Sequence, residues 1–170
     1  MDARGIRFEK VYRAFHGRVW AFAARRVGPS AAEDVTAETF LIAWRKLDSL
    51  PSEPLPWLFE VARNVLLRRN ATDTRDGRTR TELAFQRPAG AAAEHDPGLW
   101  DAWVLLSAGD REVLALIAWE GLRVRDAARV LGIAPAVFSV RLYRARRRLE
   151  RLLAEPLGAV IISTRSEETS

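Results

Sequence analysis

Apolar side chains recur at every third or fourth position along most of this chain, and no segment alternates between apolar and polar residues as a strand does. Two such stripes are the clearest. The first consists of Phe8, Val11, Tyr12, Phe15, Val19 and Phe22, and the second of Phe138, Leu142, Ala145, Leu149 and Leu152. Because this period places apolar side chains on one face of a helix, we expect the fold to be all-α.

The N-terminal part is predicted to contain three helices. They span about residues 7–27, 31–47 and 56–70. A Gly-Pro pair ends the first helix, and Ser30 with Glu33 has the pattern of a capping box, which predicts that the second helix begins at residue 31. Proline is frequent in the next loop, and Pro56 is expected in the first turn of the third helix. These helices form the first predicted domain, residues 7–70.

The composition of the chain changes after residue 70. Residues 71–98 contain few apolar side chains and many Asp, Thr, Arg, Gly and Ala, and they show no period, which predicts a flexible linker. The period returns in residues 99–153, where a capping pattern at Ser107 and a glycine at position 132 mark helix ends. We therefore expect two small helical domains, the second of them residues 99–153, and a C-terminal tail at 154–170.

The charge of the chain favours a polyanionic partner. The 170 residues include 27 basic and 22 acidic side chains, which gives a net charge of +5. The absence of cysteine excludes disulfides and thiolate metal sites, and two histidines are too few for a histidine-rich metal site. Because the sequence has neither a phosphate-binding glycine loop nor a paired nucleophile and base, we predict no cofactor, no metal and no enzymatic activity.

Hydropathy indicates a folded protein outside the membrane. Apolar residues make up 48% of the chain, too many for a disordered protein. No apolar run approaches the length of a bilayer span, and the N-terminus lacks the apolar core of a signal peptide. We therefore expect a soluble, cytoplasmic chain without membrane insertion.

Residues 124–149 carry the strongest functional pattern. A short helix, a turn at Gly132 and a second amphipathic helix are the parts of a helix-turn-helix. Six arginines lie within the eleven residues 141–151, away from the apolar seam. A helix in the major groove needs this distribution, with early side chains at base edges and later arginines on phosphates. The alternative is a solvated basic helix on a bundle.

The second and third predicted helices each combine charged and aromatic side chains. On the second, the set is Asp34, Glu38, Phe40 and Trp44. Its apolar surface exceeds what one core face needs, which indicates a protein-binding patch. On the third, aromatic Trp57 and Phe59 lie beside the polar and basic residues Arg63, Asn64, Arg68 and Arg69. This combination suits single-stranded or distorted DNA, because bases stack on aromatic rings. The alternatives are a capped amphipathic core helix and a core tryptophan, respectively.

Three segments together resemble the extracytoplasmic-function (ECF) sigma factors, the smallest class of the sigma-70 family. They are AEDVTAETFLIAWRKLD (32–48), PWLFEVARNVLLRR (56–69) and LSAGDREVLALIAWEGLRVRDAARVLGIAPAVFSVRLYRARRRL (106–149). In that family they correspond to the helix that docks on core RNA polymerase, the −10 recognition and melting helix, and the −35-binding helix-turn-helix. The resemblance thus implies a promoter-specificity subunit with core RNA polymerase and promoter DNA as partners, and it admits an anti-sigma factor as a further partner.

The resemblance also implies roles for single residues. It places Asp34, Glu38, Phe40 and Trp44 on the polymerase-docking motif, Arg63 and Asn64 on the −10 helix, and Ser139, Arg141, Arg144 and Arg147 on the −35 recognition helix. Loop 48–55 corresponds to the segment that captures a flipped −10 base. The sequence differs from the usual family pattern at two places. Ala37 replaces the family's usual glutamine, and Ala-Pro-Ala-Val at 134–137 replaces a Ser/Thr-rich helix start, so Val137 or Val140 is expected to read a thymine methyl.

A second hypothesis is a helix-turn-helix transcriptional regulator whose N-terminal bundle senses a ligand or dimerises. Such a protein needs a pocket in its first domain, whereas a sigma factor needs an exposed acidic and aromatic docking helix. The sequence favours the docking helix. The tail, residues 154–170, lies outside the resemblance and is expected to be either a frayed terminus or a regulatory segment.

Overall fold

The computed structural model describes residues 2–75, 85 and 97–154, and within them it is built from helices without strands. The helices are α1 (Ala3–Val27), α2 (Pro29–Arg45), α3 (Pro54–Arg75), α4 (Pro97–Leu105), α5 (Ala108–Ala118), α6 (Val124–Leu131) and α7 (Pro135–Ala154), with a 3-10 turn at Leu47–Ser49. The all-α expectation is therefore confirmed. None of these helices has the length and apolarity that a bilayer crossing requires.

Helices α1 to α3 pack around one apolar core and form the first domain. The rings of Phe22 and Phe59 stack at its centre with their centroids 4.7 Å apart. Val19, Leu58 and Val65 are fully buried around them. Helix α3 therefore contributes to the core on the side where α1 and α2 both lie against it.

Several predicted helix ends differ from the observed ones. The second helix begins at Pro29, with Gly28 at the N-cap and no side-chain cap, so Ser30 lies inside the helix and forms no capping box. A proline at the first helical position is favoured because its φ is already helical and its missing N–H needs no partner. The third helix begins at Pro54 and extends to Arg75, so residues 54–55 belong to the helix and not to the preceding loop, and residues 71–75 are helical and do not belong to a linker.

Helices α4 to α7 form the second domain, and here the predicted ends are confirmed. The Ser107 hydroxyl caps α5 by accepting a hydrogen bond from the Asp110 backbone N–H at 3.2 Å. Gly132 ends α6 in the left-handed conformation, with φ of 67°, and so supplies the turn of the helix-turn-helix. Helix α7 then buries Phe138, Leu142 and Ala145 against the rest of the domain.

The two domains contact each other through charged side chains that are themselves buried. The Arg26 side chain of α1 is fully buried and reaches Glu112 at 2.9 Å and Glu120 at 3.1 Å, while Arg25 reaches Glu120 at 2.5 Å. Helix α6 also packs along α3. Two ion-paired arginines of the first domain thus lie against two carboxylates of the second.

Residue Phe85 is buried in the same region, although the sequence placed it in the predicted linker. Its ring lies 5.7 Å from both Trp103 and Trp119, and the Arg26 guanidinium is 5.1 Å from its centroid. The chain is therefore anchored at this residue. Residues 97–98, also part of the predicted linker, are helical and begin α4. The other linker residues, 76–84 and 86–96, and the tail after residue 154 lie outside the described residues.

Candidate protein and nucleic-acid interfaces

Apolar side chains of α1 and α2 form an exposed patch on the first domain. Leu41 is 49% exposed and Trp44 is 37% exposed, and the Trp44 ring lies edge-on to Phe8 at 5.2 Å with the Arg4 guanidinium above it. Phe40 is only 3% exposed, because Phe8 and Tyr12 cover it. Of the two aromatic residues predicted for docking, Trp44 lies on the surface and Phe40 lies in the core beneath it.

The acidic residues of α2 face the basic end of α3. Glu38 accepts hydrogen bonds from Arg68 at 2.8 Å and from Arg69 at 3.2 Å, and Asp34 lies 3.6 Å from Arg69. Asp34 and Glu38 are one turn apart, so both carboxylates lie on one helix face. The structure thus brings together two sets of residues that the sequence had assigned to different partners, polymerase for the acids and DNA for the arginines.

The other two predicted DNA-binding residues of α3, Arg63 and Asn64, lie one to two turns before Arg68 and Arg69 on the same helix. Asn64 is exposed, whereas Arg63 is partly buried and its Nε has no hydrogen-bond partner within the described residues. Trp57 is partly exposed, but Phe59 is fully buried. Because Phe59 belongs to the core, Trp57 is the ring of this pair that a base could reach.

Loop 48–55 faces the first helix of the helix-turn-helix. Arg123 donates to Glu53 at 2.8 Å, and Arg129 of α6 donates to Glu60 of α3 at 3.3 Å. Arg123 also donates to Asp126 at 3.0 Å. The hydrogen bond and charge of Asp126, together with the charge of Glu53, raise the pKa of Arg123 above its ordinary value.

Helix α7 turns its basic side chains away from the core. Arg141 and Arg144 are exposed and have no ion pair within the described residues, whereas Arg147 pairs with Glu150 at 3.1 Å. Ser139 is exposed, but its hydroxyl donates to the Pro135 carbonyl at 3.0 Å. Val137 and Val140 lie beside these residues and are 44% and 49% exposed. The predicted −35 residues therefore share one accessible surface.

Sequence reasoning missed the charged groups that join the two domains. Their partners are far apart in the chain, for example 86 residues for Arg26 and Glu112, so no local pattern pairs them. One signal was available. Val19, Phe22 and Arg26 follow the spacing of a buried helical stripe, so an arginine at the third position predicts a buried charge that needs a partner.

Comparison with known families assigns both domains. Residues 11–75 match Sigma-70 region 2, and residues 100–149 match Sigma-70 region 4. The chain is 30% identical over 153 residues to the RNA polymerase sigma factor NccH of Alcaligenes xylosoxydans xylosoxydans, covering 81% of this chain and 82% of that protein. It is 32% identical over 154 residues to the ECF RNA polymerase sigma factor SigL of Mycobacterium tuberculosis, covering 82% and 84%.

Solved structures agree with this assignment. The sigma factor RpoE, in complex with the anti-sigma factor NepR from Bartonella quintana, superposes with a TM-score of 0.69 at 30% identity, over 86% of this chain and 96% of that chain. CnrH, in complex with the cytosolic domain of CnrY, gives 0.59 at 31% identity, over 86% and 87%. The chain therefore belongs to the ECF sigma factors of the sigma-70 family, and it binds core RNA polymerase and directs promoter recognition and transcription initiation.

Proposed function

We propose that this sigma factor contacts its partners through four surfaces. Asp34, Glu38 and Trp44, joined by Leu41, dock on core RNA polymerase. The polar residues of α3, Arg63, Asn64, Arg68 and Arg69, and loop 48–55 contact the −10 element. Ser139, Arg141, Arg144 and Arg147 of α7 contact the −35 element. The observation that carries this proposal is α7 itself, whose Arg141 and Arg144 project from an exposed face behind the Gly132 turn and have no ion pair among the residues that the structure describes.

Further parts of the proposal follow from the same assignment. The protein acts by binding and not by catalysis, without cofactor or metal. It works in the cytoplasm, because core polymerase and promoter DNA are its partners. Its two functional units are the two helical domains, α1 to α3 and α4 to α7, which extend the predicted units 7–70 and 99–153 by a few residues. An anti-sigma factor holds it inactive, which is supported by its similarity to a sigma factor solved with such an inhibitor.

The direct test of the activity is run-off transcription. Purified core polymerase is incubated with fragmented genomic DNA, with and without this protein, and the transcripts are sequenced. We expect new transcripts whose start sites share −10 and −35 elements. If the protein adds no transcripts while it still binds the polymerase, the promoter-recognition role is contradicted.

The docking surface is tested separately, by a pull-down with core polymerase. Trp44→Ala combined with Asp34→Arg removes an exposed ring and reverses an exposed charge, and we expect binding to be lost because the partner's basic groups are left facing an arginine. Phe40 is left intact because it is core. Asp101→Arg combined with Val104→Ala is the control, since it reverses an exposed charge and truncates an exposed apolar side chain on α4, outside the docking surface. Equal binding by both variants would contradict the assignment.

A further inference from the structure

Two arginines of the second domain are held by carboxylates of the first. Arg123 stands at the N-cap of α6 and donates to Glu53 at 2.8 Å, and Arg129 in the last turn of α6 donates to Glu60 at 3.3 Å. Arg125 lies between them, is exposed, and has no ion pair in the described part of the chain. Loop 51–53 and these arginines line a polar groove of about 490 Å³ between the domains. The edge of α6 at this groove therefore carries three arginines and one carboxylate, Asp126, which pairs with Arg123, and the first domain pairs with two of the arginines.

These arginines lie on the helix that crosses the DNA backbone when a helix-turn-helix binds DNA. In a helix-turn-helix the second helix enters the major groove while the first helix crosses the sugar-phosphate backbone. Helix α6 is that first helix, because it precedes the Gly132 turn and α7. A guanidinium binds a phosphate through the same fork of N–H donors that it offers to a carboxylate. Glu53 and Glu60 thus occupy donors that a phosphate could use.

We infer that Arg123, Arg125 and Arg129 bind phosphates of the −35 DNA, and that Glu53 and Glu60 compete with those phosphates in the free protein. The inference rests on the proposed DNA-binding function of the second domain. Arg123 and Arg129 then bind either the carboxylates of the first domain or the phosphates of the −35 DNA, but not both at once. Because Arg123, Glu53 and Arg129 are solvent-exposed and Glu60 is only half-buried, each ion pair shifts the equilibrium by no more than about fivefold. The competition weakens DNA binding by the free chain without abolishing it.

The experiment uses the full chain and a labelled duplex that carries a −35 element and no −10 element. Glu53→Gln with Glu60→Gln removes the competing charges, and we expect binding to tighten about two- to tenfold. Glu9→Gln with Glu33→Gln is the matched control. It removes two negative charges from the same domain, but Glu9 pairs within α1 and Glu33 is exposed away from α6, so it reports the effect of net charge alone.

The opposite change tests the phosphate contacts. Arg123→Gln with Arg129→Gln should weaken binding to all sequences alike and reduce the slope of log K against log salt by about two. In the complete polymerase complex, where the second domain is on DNA, the gain from the glutamate variants should disappear. None of the four substituted side chains belongs to the buried core, so the variants keep the core intact.

Three results would overturn the inference, and only the third would also contradict the proposed function of the second domain. If the Glu53/Glu60 variant binds no tighter than its control, the competition is absent. If the Arg123/Arg129 variant keeps full affinity and salt dependence while Arg144→Ala loses −35 selectivity, α6 does not touch the backbone, although α7 still reads DNA. If neither the wild-type chain nor its polymerase complex selects a −35 duplex, the proposed function of the second domain fails as well.

Discussion

The exposed side chains in the first two turns of α7 offer methyl groups more than hydrogen-bonding groups. Val137 and Val140 project on the same side as Arg144, and the Ser139 hydroxyl already donates to the Pro135 carbonyl. Apolar side chains at the start of a recognition helix contact the C5-methyl group of thymine in the major groove. The −35 element of this protein should therefore contain thymines that are recognised by their methyl groups.

Replacing thymine by deoxyuridine removes that methyl group and nothing else. On a −35 duplex selected with the polymerase complex, we expect one or two such replacements to cost about 0.8 kcal/mol of binding free energy each. Val140→Ala should abolish this loss of binding free energy, because the variant contacts the thymine methyl group on neither duplex. Val104→Ala on α4, which truncates a similarly exposed valine, should retain it. Equal binding of both duplexes by the wild-type complex would show that Val140 reads no methyl group.

The case of Phe40 shows why single residues are harder to place than helices. Phe40, Leu41 and Trp44 fall within little more than one turn, so the period shows that a large apolar face exists but not where its buried edge lies. That edge is set by α1, whose Phe8 and Tyr12 cover Phe40. The exposure of Arg141 and Arg144, by contrast, followed from the sequence because a single seam defines the buried face of α7.

At the scale of whole elements, helix ends were predictable where one local signal acts alone. Ser107 and Gly132 are such signals. Before α2 a Gly-Pro pair and a capping-box pattern overlap, and the proline prevails, since it fixes φ at the first helical position. The last turn of α3, up to Arg75, was missed because residues 71–75 have the sequence Ala-Thr-Asp-Thr-Arg, which contains no large apolar residue to continue the apolar period.

The turn of the helix-turn-helix gives a matched pair of glycine substitutions. A Cβ built on Gly132 or on Gly17 meets no atom within 4 Å, so the two positions differ mainly in backbone conformation. Gly132→Ala should lower the free energy of unfolding by about 1–2 kcal/mol, because its φ of +67° is left-handed. Gly17→Ala, within α1, should raise it by about 0.5–1 kcal/mol. Urea unfolding of the full chain measures both, and a change of the same sign in the two variants would contradict this account.

At the scale of the whole molecule, the contact between the domains depends on Arg26. Its guanidinium bonds both Glu112 and Glu120 and also donates to the Phe22 carbonyl at 2.8 Å. A buried charge is tolerated only when it is paired in this way. The sequence predicted the two domains but not their packing, because such a contact depends on residues about 90 positions apart.

Arg26→Gln should separate the two domains. The variant leaves Glu112 and Glu120 buried without their cation, and both carboxylates regain water if the domains part. We expect small-angle X-ray scattering to show a radius of gyration above the roughly 15 Å of a compact chain of this length. Arg13→Gln removes an exposed arginine that pairs within α1, and should leave the radius unchanged. A folded Arg26→Gln variant as compact as wild type would show that Arg26 does not hold the domains together.

Promoter geometry requires the same separation. The −10 and −35 elements are about 25 base pairs apart, which at about 3.4 Å per base pair is about 85 Å of DNA. A compact chain with a radius of gyration of roughly 15 Å cannot reach both elements. We therefore expect the protein to leave the packed arrangement around Arg26 and Phe85 when it binds a complete promoter.

The tryptophans beside Phe85 make that departure visible by fluorescence. Trp119 lies 4.6 Å from Trp103, with Arg25 of the first domain 6.0 Å from its ring. When the domains part, water replaces Arg25 next to Trp119, and indole emission moves to longer wavelengths. Arg26→Gln should show this red shift, and adding Trp119→Phe should remove most of it. The interface between the two domains thus contains an intrinsic fluorescent reporter. The rate at which the domains separate can therefore be measured without an attached dye.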